Sequence, residues 1–63
     1  MKAPELRQKE TGELEKLLRE NREKLRELRF NLASGKVKNV KELHGLKKDI
    51  ARILLVIKEK QNA

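Results

Sequence analysis

Cysteine is absent from this 63-residue sequence, and so are tryptophan and tyrosine. Without cysteine there is no disulfide staple and no thiolate zinc site, which fits a reducing compartment. Aromatic packing rests on one residue, Phe30, and one histidine, His44, is present. The longest aliphatic run, Ile53 to Ile57, is far too short to cross a bilayer, so no membrane span is expected. Met1-Lys2 leads into mixed polar sequence, so a secretory signal is not expected either. One proline, Pro4, and three glycines, Gly12, Gly35 and Gly45, leave little punctuation.

Catalytic chemistry is also missing. Ser34 has no identifiable base, Asp49 is the single aspartate, and the glutamates fall on helix faces expected to be exposed. No phosphate-cradling glycine loop and no cluster with metal-ligand spacing appears. The expectation is no catalytic residue, no metal, no cofactor and no small-molecule substrate: not an enzyme.

What the sequence has in abundance is charge. Charged residues make up 43% of it, the formal net charge is +7 and the pI is about 10.1. Such a chain seeks a polyanion, whether nucleic acid, an anionic membrane or an acidic protein. A disordered basic tail and a charged helical hairpin share this composition, and periodicity separates them.

The stretch Ala33-Ser34-Gly35-Lys36-Val37-Lys38-Asn39 organises the rest. Gly35 suits the left-handed position that ends a helix. Asn39 suits a cap, and Glu42 is placed to complete a capping box. Before the turn, Leu14, Leu18, Leu25, Leu28 and Leu32 follow a heptad rhythm with Asn21 in the missing position, and Leu17 widens the stripe. Asn21 is expected to be partly exposed, with burial as a register device the alternative. After the turn, Leu43, Leu46, Ile50, Ile53 and Ile57 form a second seam, widened by Leu54. Gly45 is an interior helix glycine on the outer side. Thr11 is the expected cap of the first long helix. Residues 1–10 read as a frayed end or a short helix begun by Pro4 that docks Leu6.

The fold class is therefore all-α: a long antiparallel, coiled-coil-like two-helix hairpin with a possible short N-terminal helix. It forms one domain over residues 1–63, with helices at about 11–34 and 40–60 and a turn at 35–39.

The charge divides unevenly about the turn. Residues 1–35 hold nine Lys or Arg against seven acids, a net of +2; residues 36–63 hold eight against three, a net of +5. On the first long helix acids and bases interleave, the pattern of a solvated face. On the second, Lys41, Lys48 and Arg52 project opposite the Ile50 seam, with His44 and Lys47 beside them. With Lys36 and Lys38 they form a basic stripe suited to a phosphate backbone, against the alternative of a solubilising lysine face. Leu55 and Val56 fall outside the seam and read as a small contact patch for a neighbour. Phe30 also lies off its seam; it is expected to cover the turn near Val37 and Val40, and otherwise to pack on a partner.

The stretch LRELRFNLASGKVKN, followed by KELHGLKKDIARI, resembles the ribosomal large-subunit protein family number twenty-nine, and the resemblance covers nearly all of the sequence. Its most specific parts are Leu28-Arg29-Phe30, Ser34-Gly35 and the run Lys47-Lys48-Asp49-Ile50-Ala51-Arg52. The resemblance implies a helical hairpin with a short N-terminal helix. It also implies binding to large-subunit ribosomal RNA near the polypeptide exit tunnel, beside a neighbouring ribosomal protein, with a ribosome-bound cytoplasmic location. Lys47, Lys48 and Arg52 occupy the family's basic second-helix positions; Arg7, Arg29 and Phe30 match its N-terminal and first-helix positions. There are departures. Val40 stands where many members carry proline, and lysines replace a commoner arginine pair, which removes bidentate phosphate forks.

The expected RNA-binding residues are therefore Arg7, Arg29, Lys36, Lys38, Lys41, His44, Lys47, Lys48 and Arg52. Phe30, Leu55 and Val56 are the candidates for protein contact. The rival is a helical interaction module that dimerises into a four-helix bundle. A membrane-surface helix ranks last, because the apolar stripes are used in hairpin pairing.

Overall fold

The computed structural model describes residues 2–36 and 38–62. Three helices follow in order: α1 over Ala3–Arg7, α2 over Thr11–Ala33 and α3 over Val40–Gln61. Helices α2 and α3 pack on each other, and α1 rests mainly on α3. At about 1.5 Å per residue the long helices run roughly 33–35 Å, and the molecule measures 43 × 17 × 15 Å. No strand occurs among the described residues.

The turn forms as its residue types dictate. Gly35 takes φ +81°, the left-handed conformation that a side chain disfavours. That geometry lets Gly35 N–H donate to the Leu32 carbonyl at 3.3 Å and Lys36 N–H to the Asn31 carbonyl at 3.0 Å. The pair of bonds is a Schellman motif, satisfying carbonyls that the end of α2 leaves open. The Ser34 hydroxyl donates to the Asn31 carbonyl at 3.2 Å. Asn39 caps α3, its side-chain oxygen accepting from the N–H groups of Lys41 and Glu42 at 3.1 and 3.4 Å. Glu42 thus joins the cap through its backbone. The cap of α2 differs from expectation: Glu10, not Thr11, is the N-cap, without a side-chain bond, and Thr11 is already helical. The Glu10 carbonyl accepts from Leu14 N–H at 3.0 Å and starts the ladder directly.

The core lies at the end away from the turn. Leu6, Leu14, Ile53, Val56 and Ile57 form one buried cluster, with Leu17 and Leu18 packed against it. Residues 1–10 therefore resolve to the docked alternative: α1 forms, and Leu6 is fully buried. Docking α1 turns the interior of α3 toward Val56. Val56 was expected outside the seam; it is fully buried, because the seam here has three walls, not two. By the same shift Leu54, expected to widen the seam, stays 41% exposed on the other flank. Toward the turn only two helices face each other. There Leu28 is buried, while Leu25, Leu32, Leu43, Leu46 and Ile50 are half-buried.

Candidate nucleic-acid interface

Five of the nine expected RNA-binding residues lie on α3, whose buried face is set by Ile53 and Ile57. At about 100° per residue, Lys41, His44, Lys48 and Arg52 point away from that face, and Lys47 stands at its edge. All five are exposed. Lys36 and Lys38, in the connection, are exposed too and extend the stripe past the start of α3. Among the described residues the four lysines Lys36, Lys38, Lys41 and Lys48 lack an acid within salt-bridge distance, and so does Lys47. Arg52 is engaged within its own helix, Nη1 lying 3.7 Å from an Asp49 carboxylate oxygen. A long, partly exposed pair of this kind is weak, and its guanidinium remains within reach of a phosphate.

Arg7 stands apart. It sits on α1, and its guanidinium forks onto Glu59 near the end of α3: Nε donates to Oε2 at 3.1 Å and Nη2 to Oε1 at 3.3 Å. These hydrogen bonds hold the Glu59 carboxyl below its ordinary value and push the guanidinium further above its own. The structure thus gives Arg7 an internal partner that the sequence pattern did not reveal, because the two residues are far apart in the chain. Arg29 is exposed on α2, away from the α3 stripe.

The apolar candidates separate in the same way. Leu55 is 54% exposed, in the middle of the cationic back of α3. Phe30 is 66% exposed and borders a shallow depression with Glu23, Arg26 and Glu27. It does not cover the turn: Val40 is half-exposed, and Val37 lies outside the described residues. Val56, in the core, is removed from the surface altogether. Gly45, expected among the cations, lines a groove between α2 and α3 together with Leu28, Leu46 and Asp49. Among the described residues no group of three or more His, Asp or Glu is placed to hold a metal ion.

The described residues form a charged helical hairpin with a cationic back and an apolar seam, the architecture of a small basic helical protein. The family model described as ribosomal L29 protein matches residues 4–60. The large ribosomal subunit protein uL29 of Thermodesulfovibrio yellowstonii is 53% identical over 60 residues, covering 95% of this chain and 83% of the relative. That of Thermotoga petrophila is 46% identical, covering 97% and 92%, and that of Rubrobacter xylanophilus is 43% identical, covering 97% and 91%. The chain belongs to the ribosomal L29 protein family. It is a ribosomal protein of the large subunit, ribosome-bound in the cytoplasm, in a family of structural proteins.

Proposed function

We propose that this chain, acting as one folded unit, binds large-subunit ribosomal RNA through the outer face of α3 and the turn before it, near the polypeptide exit tunnel. Its role is structural and involves no turnover chemistry. Lys36, Lys38, Lys41, Lys47 and Lys48 supply the charge, Arg52 exchanges Asp49 for phosphate, and His44 lies within the stripe. Arg29 contributes from α2. Arg7 serves first to hold α1 on α3 and meets RNA only at the margin of the interface. Phe30 and Leu55 are the surfaces offered to a neighbouring ribosomal protein.

The observation that carries this reading is the row of exposed α3 lysines without acid partners among the described residues. Each such cation displaces condensed counterions when it meets a phosphate. Substituting Lys47, Lys48 and Arg52 together with Gln, which keeps helix propensity, lowers affinity for a large-subunit ribosomal RNA transcript. It also shallows the salt dependence by about 0.7–0.9 for each phosphate that is no longer neutralised. A titration with an unchanged salt slope refutes the assignment of these three residues.

A further inference from the structure

The charge on α2 is less evenly mixed than its sequence suggests. Arg19, Arg22, Arg26 and Arg29 recur at spacings of 3, 4 and 3. On a helix this places them within about 80° of one another, in a ridge roughly 15 Å long. All four are exposed, and among the described residues none has an acid within salt-bridge distance. Glu15 lies within that sector and Glu23 at its edge, where it borders a depression with Arg26. The other acids of α2, Glu13, Glu20 and Glu27, fall toward the opposite flank.

The two flanks of α2 face different surroundings. The flank that carries most of its acids, with Lys16 and Lys24 among them, is on the α1 side: Glu13 and Glu20 border a depression with Lys9 and Lys16, and Glu27 borders the groove with Lys24, Glu42 and Asp49. The arginine ridge is on the other side of the hairpin. There α3 presents Lys47 and Lys58, on the flank away from the buried Val56. One broad side of the molecule is thus cationic, and the side bearing α1 is where most of its acids gather. Neighbouring arginines at i, i+3 and i, i+4 repel one another and cost the free helix a few tenths of a kcal/mol per pair. Bound phosphates relieve that repulsion, and a guanidinium grips a phosphate with two parallel bonds.

We infer that Arg19, Arg22, Arg26 and Arg29 of α2 form a second phosphate-binding face, with Lys47 and Lys58 at its corner, so that the hairpin engages two runs of RNA backbone on adjacent sides. This inference rests on the RNA-binding reading above and extends it to a helix whose charge looks balanced along the sequence. It also gives the hairpin an orientation on RNA, with the α1 side turned away from the phosphates.

The test is a salt series of titrations with the full chain and a large-subunit ribosomal RNA transcript, using four proteins. These are the parent, the α3 variant K41Q/K48Q/R52Q, the α2 variant R19Q/R22Q/R26Q and the charge-preserving R19K/R22K/R26K, with circular dichroism checking that each remains helical. The expected result is a salt slope in the α2 Gln variant shallower by about 0.7–0.9 for each phosphate left without its arginine. This decrease is separate from that of the α3 variant. The Lys variant is expected to keep the parent slope and bind several-fold more weakly, since charge remains and the fork is gone. A parent-like slope in the α2 Gln variant with a reduced one in the α3 variant overturns the second face and leaves the α3 reading standing. A reduced slope in the α2 variant alone upholds the second face and removes the first. A parent protein that does not bind the transcript overturns both.

Discussion

Asn21 has the least obvious environment of any single residue in the hairpin. It occupies a seam position of α2, is only 4% exposed, and its Nδ2 has no hydrogen-bond partner among the described residues. An amide buried without a partner costs folding free energy, and in helix pairs it is tolerated where it disfavours other registers. Replacing it with leucine is expected to raise stability by about 1–2 kcal/mol, since the unsatisfied donor disappears and apolar packing replaces it. Urea unfolding followed by circular dichroism measures this, and a lower midpoint for Asn21→Leu would show that the amide makes a favourable interaction. The heptad spacing indicated that Asn21 belonged to the seam. Its depth was decided by the neighbours that close over it, and partial exposure was the poorer expectation.

Helix α1 has five residues, too few to be stable by itself. Two attachments hold it: Leu6 in the core cluster, and the Arg7 fork onto Glu59. The second depends on pH. A carboxyl whose folded value is depressed contributes stability above its unfolded value, and that contribution is lost as pH falls through the folded value. Since Arg7 stays charged throughout, the linkage belongs to Glu59, and α1 is expected to loosen on acidification below the ordinary glutamate range. Both side chains are about half exposed, so added salt weakens the fork in the same way. Amide exchange at Leu6, whose N–H donates to the Lys2 carbonyl at 3.2 Å, reports the detachment. In Glu59→Gln the exchange should already be faster at neutral pH and should lose most of its acid response. Equal exchange in both proteins would mean that Leu6 burial alone anchors α1.

At the scale of the molecule, the apolar seams are consumed within one hairpin, and most cations are left on two adjacent outer sides. A chain this small has a limited core, and RNA that binds only the folded form stabilises it by mass action. Without RNA, the thermal midpoint is expected to be independent of protein concentration. With RNA at a hundredfold excess over its Kd, stability should increase by about 2.7 kcal/mol, and the gain should shrink as salt is raised. A midpoint that climbs with protein concentration in the absence of RNA would instead favour seams paired between two chains, as in a four-helix dimer.

The linear order of residues determined the long helices, their antiparallel pairing, the Gly35 turn and the Asn39 cap. Each of these follows from neighbours within a turn or two: apolar residues at helical spacing, a glycine free to take positive φ, a side-chain oxygen beside open N–H groups. The α3 lysine row was legible for the same reason, since helical periodicity alone turns those side chains away from the seam. Only the tertiary structure decided that α1 docks, that Val56 lies inside while Leu54 lies outside, and that Arg7 is tied to Glu59. All three depend on a third wall brought to the far end of the hairpin from residues some fifty positions away, and periodicity carries no information about pairings of that range. The arginine ridge falls between these cases. Its spacing is plain in the chain, but its meaning appeared only when packing showed which flank of α2 faces α1 and its surrounding acids and which is left open.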